Sequence, residues 1–269
     1  MPPLNVLLNL AKNKDTKKMD SDKRLSVIIP VFNEAETIED VIAQVKKRPE
    51  TGEIIIVDDA STDDTREHLK KFEGKRGIKV FYQDINQGKG AAVIRAIAEA
   101  TKDFVIIQDA DFEYTPEDWP IVLKPLIDGK ADVVYGSRFM GTPGMARFFG
   151  HEIGNKFLTF VSNIFSDIHL SDMETCYKAF RREVMQNLNL ESKRFGIEVE
   201  FTAKMAKARI IRIWNVPISY NPRSFNAGKK IGWKDGVSAL YHIVKYNVFS
   251  DSKKFYKKPW PEVLGRDSR

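Results

Sequence analysis

Residues 104–114 read FVIIQDADFEY: four apolar residues, three of them β-branched, halted by two carboxylates spaced two apart, Asp109 and Asp111. A half-solvated strand would alternate apolar and polar side chains, so an unbroken run of this length predicts a strand covered on both faces. Outward from it the same pattern recurs in LSVIIPVF (25–32), EIIIVDDAS (53–61), IKVFYQD (78–84) and ADVVYGSR (131–138). Between these runs lie segments with helical spacing, such as Ile38, Val41, Ile42 and Val45, or the alanine-rich stretch from Ala91 to Ala100. Strands alternating with helices predict an α/β fold, Rossmann-like, with a mostly parallel sheet and helices on both faces.

In such a sheet, ligands bind beyond the carboxyl ends of the strands. Those ends are Asn33-Glu34, Asp58-Asp59, Asp84, Asp109-Ala110-Asp111 and Gly136-Ser137-Arg138. Four of the five carry carboxylates, which marks a site. Asp109 and Asp111 could chelate a divalent cation that also bridges phosphates, although an Asp-x-Asp triplet is weak by itself, and Asp20-Ser21-Asp22 is assigned no role. Asp58 and Asp59 could accept hydrogen bonds from a base or ribose, whereas Asp63 and Asp64 read as helix punctuation and Ser61 and Thr62 as N-caps. Asn86-Gln87-Gly88-Lys89-Gly90 opens a helix, where glycines permit close approach and the helix end with Lys89 attracts anions. Neither a P-loop nor a Gly-x-Gly-x-x-Gly follows any strand.

Past Arg138 the rhythm changes. GTPGMARFFG (141–150) predicts a loop, Phe148 to Phe165 an amphipathic helix, and CYKAF (176–180) and ARIIRIWNVPISY (208–220) strands that add to or cap the sheet. PRSFNAGKKIGWKDG (222–236) predicts a polar loop able to close over a ligand, with Arg223, Lys229 and Lys230 as phosphate candidates beside Arg138, or else a solvated loop with incidental charge. VSALYHIVKYNVF (237–249) predicts a final amphipathic helix. Three parts follow: an arm over 1–23, one domain over 24–250 and a basic, aromatic tail over 251–269.

Composition bounds the rest. At 269 residues, 42% hydrophobic and 30% charged, the chain can bury one sizeable core. The single cysteine, Cys176, excludes a disulfide framework, and four scattered histidines argue against a zinc site. No apolar run approaches the roughly 18 residues of a membrane span, and the first twenty residues lack a signal-peptide pattern, so a cytoplasmic protein, soluble or peripheral, is expected. Net charge is +6, yet between Phe201 and Lys258 thirteen Lys and Arg are balanced only by Asp235 and Asp251, leaving the remainder net acidic. That asymmetry points to a phosphate-bearing partner. Nucleic acid is not expected, because carboxylate-bearing strand ends would repel a polyanion.

Taken in order, SVIIPVFNEAETI, IIIVDDASTDDT, NQGKGAAVIRAIAEA, VIIQDADFEY, VVYGSRF, DMETCYKAFRR and PRSFNAGKKIGWKDG resemble the family 2 glycosyltransferases of GT-A fold, and among them the dolichol- or polyprenyl-phosphate hexosyltransferases. The resemblance runs from about Leu25 to Phe249. It implies an inverting transfer of a hexose, glucose or mannose, from a UDP- or GDP-sugar donor. The implied acceptor is a polyprenyl or dolichyl phosphate at the cytoplasmic membrane face, or alternatively a saccharide or glycolipid hydroxyl in cell-envelope polysaccharide synthesis. By the same resemblance Pro30, Phe32, Glu34 and Asp59 would contact base and ribose with Lys89 nearby. Asp109 and Asp111 would hold Mg²⁺ or Mn²⁺ with Glu113 assisting, and Arg138, Arg223 and Lys229 would grip phosphate. Asp172, with Glu174 second, would position the acceptor or act as base, or Asp172 could be a helix N-cap. Two departures stand out. Many lipid-phosphate members carry C-terminal transmembrane helices that this chain lacks, and Cys176-Tyr177-Lys178 replaces the Ser-Gly-Phe of mannosyl-transferring relatives, which tilts the donor toward glucose. Tyr241, Tyr246, Phe249 and the lysine-aromatic run from Lys253 to Trp260 suit either an anionic membrane surface or packing on the domain.

Overall fold

The structure, a computed structural model, describes residues 23–141, 149–222 and 233–266. The arm before Lys23, the loop over 142–148 and the segment 223–232, with Arg223, Lys229 and Lys230, lie outside the described residues. Five strands form where the apolar runs predict them: β1 (Leu25–Val31), β2 (Thr51–Asp58), β3 (Ile78–Tyr82), β4 (Phe104–Ile107) and β5 (Val133–Ser137). Consecutive residues Val27, Ile28 and Ile29 of β1 and Val105, Ile106 and Ile107 of β4 are all fully buried, so both faces of the sheet are covered. Between them run α1 (Ile38–Lys47), α2 (Thr65–Lys70), α3 (Lys89–Glu99) and α4 (Trp119–Ile127). The amphipathic spacing of α1 buries Ile38, Val41, Ile42 and Val45 as one stripe.

The second half departs from expectation. α5 (Phe149–Ser166) precedes β6 (Lys178–Arg181), α6 (Arg182–Asn187), α7 (Gly196–Lys207) and β7 (Ile213–Pro217). β7 does extend the sheet, pairing parallel with β5. β6 adds to the sheet as expected, but inside it: it runs antiparallel between β4 and β5, giving the order β3-β2-β1-β4-β6-β5-β7. A strand that begins with lysine can sit there because Lys178, fully buried, is ion-paired with Glu198 of α7. The reversed direction has a consequence for chemistry. The residues that lead into β6 lie at the carboxyl ends of its parallel neighbours, which brings Glu174 and Cys176 to the same edge as Asp109.

The C-terminal part consists of α8 (Trp233–Val244), a π-helical turn (Lys245–Phe249) and α9 (Trp260–Leu264). The expected tail from residue 251 packs back on the domain as far as Arg266. Phe255, Trp260 and Leu264 are buried, Lys257 and Lys258 donate their backbone N–H groups to Asn187, and Arg266 reaches the buried Asp132. Trp260 and Phe255 thus belong to the core, not to an exposed aromatic run.

α3 enters the sheet through two glycines. Gly88 has φ +102°, and a Cβ on Gly90 would stand 2.1 Å from the carbonyl oxygen of Ser192. Helix propensity alone would make Gly90→Ala stabilising by about 1 kcal/mol. The backbone clash outweighs it, so the variant is expected to lose about 2 kcal/mol or more, read as a lower urea midpoint at unchanged slope. A midpoint equal to or above wild type would show that the 192–194 segment yields freely.

Candidate active site

The ends of β1 and β2 interlock. Asn33 (φ +52°) accepts the N–H of Thr62 at 2.8 Å and donates its own N–H to Ser61 Oγ at 2.9 Å, while Glu34 N donates to Thr65 Oγ1 at 2.9 Å. Ser61 and Thr62 therefore tie two loops together and do not cap α2, which begins later, at Thr65. The paired aspartates diverge. Asp58 turns inward, fully buried, and takes Arg66 Nε at 2.7 Å. Asp59 turns to the cavity and accepts the N–H groups of Gln87 (2.8 Å) and Gly88 (2.6 Å) and the Gln83 amide (2.8 Å). The anion at the start of α3 is thus a side chain of the protein itself.

At the end of β4, Asp109 Oδ1 lies 2.8 Å from Lys89 Nζ, which is also 3.7 Å from Glu198 Oε1. Glu198 in turn meets Lys178, whose ammonium also donates to the Thr175 carbonyl. Two lysines and two carboxylates therefore form one chain of alternating charge, buried at Lys178 and Glu198 and half-buried at Lys89 and Asp109. Burial opposes the charge on Asp109, but Lys89 outweighs it and holds the carboxyl below its usual range. For Lys89 burial is likewise the opposing effect, and Asp109 with Glu198 raises the ammonium well above the ordinary value. Burial pushes the Cys176 thiol up, so it stays protonated and unreactive.

Across the cavity, Arg138 makes a bidentate pair with Asp172, Nε–Oδ2 at 2.7 Å and Nη2–Oδ1 at 2.8 Å, and its backbone N–H bonds the same carboxylate at 3.0 Å. Asp172 is fully buried and caps no helix; both its oxygens are spent on Arg138. Glu174 is different. It faces the cavity, its Oε1 is buried without a hydrogen-bond partner among the described residues, and its pKa is raised to about 7, by burial first and by Glu198 next, against the pull of Lys178 and Arg138.

These groups line a cavity of about 960 Å³. Pro30, Phe32, Glu34, Asp59, Lys89, Asp109, Ala110, Asp111, Glu113, Arg138 and Glu174 all contribute to its wall, so the structure brings most of the expected site together. Asp58 and Asp172 stand behind the wall, the first paired with Arg66 and the second with Arg138, which is itself in the wall. Arg223 and Lys229 lie outside the described residues. Glu198, Arg194 and Tyr220 line the cavity without having been singled out in the sequence. Glu198 sits in GIEVEF, whose alternation of acidic and apolar residues resembles a solvated face; only the lysines it meets, distant in sequence, reveal its burial.

Among the described residues no three His, Cys, Asp or Glu side chains converge as a ready-made cation cage. Asp109 and Asp111 do offer an all-oxygen pair in the cavity wall, with Lys89 beside Asp109 and Glu113 N bonded to Asp111 Oδ1 at 3.0 Å. That donor set fits Mg²⁺ or Mn²⁺, which keep several positions for phosphate oxygens and water.

Comparison with known proteins agrees with this geometry. The family described as Glycosyl transferase family 2 matches residues 26–188. "Glycosyltransferase AglJ" of Haloferax volcanii is 34% identical over 211 residues, covering 76% of this chain and 65% of the relative. "Dolichol-phosphate mannosyltransferase" of Pyrococcus furiosus is 28% identical over 229 residues, 82% of this chain and 63% of the relative. The chain therefore spans somewhat less than two thirds of the length of these two relatives. Among solved structures, glucosyl-3-phosphoglycerate synthase from Mycobacterium tuberculosis, in complex with Mg²⁺ and UDP, superposes with a TM-score of 0.67 at 20% identity, over 89% of this chain and 84% of that one. At that identity the likeness shows the fold, the GT-A arrangement that the motifs imply.

The state of Glu174 can be read from stability. Its carboxyl titrates near 7 in the folded chain against an ordinary 4.5, so the folded state holds a proton that the unfolded chain has lost between those values. The contribution is complete below about pH 4.5 and is lost as pH rises through about 7, at most on the order of 3 kcal/mol. In metal-free protein, Glu174→Gln is expected to become progressively more stable relative to wild type from about pH 5 to about pH 8 in thermal melts. A pH-independent difference would show that Glu174 ionises normally.

Proposed function

The chain belongs to glycosyl transferase family 2, and from that premise we propose that it is a glycosyltransferase that transfers a hexose from a UDP- or GDP-sugar to a polyprenyl phosphate, with inversion, at the cytoplasmic face of a membrane. The observation that carries this reading is one cavity with a carboxylate pair at one end, Asp109 and Asp111, and an arginine held by a buried carboxylate at the other, Arg138 on Asp172. The relative named dolichol-phosphate mannosyltransferase supports the acceptor class. Solved relatives in complex with Mg²⁺ or Mn²⁺ and UDP support the donor and metal.

In this reading Pro30, Phe32, Glu34 and Asp59 bind the base and ribose. Asp109 and Asp111 would hold Mg²⁺ or Mn²⁺, and the ion would supply positive charge where the leaving group becomes negative. Arg138 orients an acceptor phosphate; Asp172 acts through it as a positioning residue. An oxygen of that phosphate forms the new bond to the anomeric carbon as the bond to the nucleoside diphosphate breaks and its electron pair leaves with the diphosphate. The attacking oxygen is already ionised, so no base is needed. The alternative, transfer to a saccharide or glycolipid hydroxyl, is favoured by one observation: Glu174, titrating near 7 with an unpartnered oxygen in the cavity wall, suits a general base. Which hexose is moved is left to the donor assay.

Transfer from labelled UDP-glucose and GDP-mannose to a short polyprenyl phosphate tests the reading. Asp111→Ala is expected to lower turnover about a thousandfold or more, with the fold and melting temperature retained, because the residue lies in the turn after β4 and outside the sheet. Full activity of that variant with Mn²⁺ would contradict the metal assignment. Glu174→Gln separates the acceptors. A loss below about tenfold supports the phosphate, and a loss of about a hundredfold or more, with donor binding intact, supports a hydroxyl.

A further inference from the structure

α5 is apolar on two sides. It packs inward through Leu158 and Val161 and the buried Thr159, Ser162 and Ser166, while Ile153, Phe157, Phe160 and Ile164, spaced by four, three and four residues, form one outward stripe and are each more than half exposed. α8 and its π-helical extension repeat the arrangement. Ala239, Ile243 and Tyr246 pack inward, and Val237, Tyr241, Val248 and Phe249 are more than half exposed. The two stripes belong to one surface: α5 and α8 pack against each other, and Ser166 Oγ meets Asn247 Oδ1 at 3.2 Å where both end. A water-facing helix normally carries the opposite polarity, so a contiguous apolar band of this kind has an apolar partner.

We infer that this band is a membrane-docking face on which the protein lies with α5 and α8 at the surface of an anionic bilayer. Two observations favour a bilayer over a second copy of the chain. The band is rich in aromatic residues and is followed directly by the exposed lysines Lys253 and Lys254, against Asp251 alone, which is the pattern of interfacial segments. The opposite sides of the same two helices, through Asn155, Leu158 and Ala239, wall the catalytic cavity. Docking on this face therefore sets the cavity beside the lipid headgroups. The inference deepens the lipid-phosphate reading and rests on it for its purpose, though not for its test.

The test is co-sedimentation of the full chain with phosphatidylcholine vesicles, with and without phosphatidylglycerol, in the absence of donor and acceptor. Wild type is expected to bind the anionic vesicles, more weakly at high salt, and Phe157→Asp/Phe160→Asp to bind at least about tenfold less with an unchanged melting temperature. The conservative pair Phe157→Leu/Phe160→Leu should keep most of the binding. Failure of wild type to sediment, or equal sedimentation of the aspartate variant, would overturn the inference. So would light scattering showing a vesicle-free dimer that the aspartates split, since the band would then be a self-contact. Turnover of a detergent-solubilised short-chain acceptor stays at wild-type level in the aspartate variant if the catalytic reading holds. Loss of vesicle binding with turnover intact, and vesicle binding without any turnover, thus separate the two claims.

Discussion

Lys178 and Glu198 meet in the interior of the protein, and much of the site hangs on that contact. A buried charge is tolerated only with a partner of opposite sign and further hydrogen bonds. Lys178 brings positive charge into a central strand, Glu198 answers it from α7, and Glu198 also touches Lys89, which holds Asp109. One helix therefore fixes the strand inserted between β4 and β5 and the carboxylate at the end of β4. Because that inserted strand runs against its neighbours, the pairing also delivers Glu174 to the cavity, where burial first and Glu198 next raise its pKa.

The same logic recurs at the two arginines. Arg66 and Arg138 are each fixed by a carboxylate, Asp58 and Asp172, that the cavity never sees. Asp59 likewise spends its oxygens on the N–H groups that open α3. A site of this type is assembled before any ligand arrives. Its polar groups are already held by protein partners, so little reorganisation remains to be done.

The strand ends were legible because apolar runs that stop abruptly at polar residues have one physical reading in an α/β sheet, and the cavity does gather Glu34, Asp59, Lys89, Asp109, Asp111 and Arg138. What the sequence hides is direction. Asp58 and Asp59 are identical neighbours, and only the position of Arg66 eight residues on decides which turns inward. Asp172 and Glu174 look interchangeable until Arg138 claims the first. β6 could not be placed because strand order depends on pairings distant in sequence. Glu198 passed unnoticed because a buried carboxylate is recognisable only by its lysines. The basic and aromatic C-terminal residues divide in the same way: Phe255 and Trp260 complete the core, whereas Phe249 and the stripe on α5 face outward.

The central claim is that Asp109 and Asp111 make a site that accepts a nucleoside diphosphate only together with a divalent cation. Calorimetric titration of the full chain with UDP and with GDP, each with and without Mn²⁺, tests it most directly. The account predicts binding of one of them with Mn²⁺ and at least about a tenfold weaker affinity without it, since a diphosphate alone would meet carboxylates. Equal affinity in the two conditions, or binding of neither nucleotide in either, would contradict it.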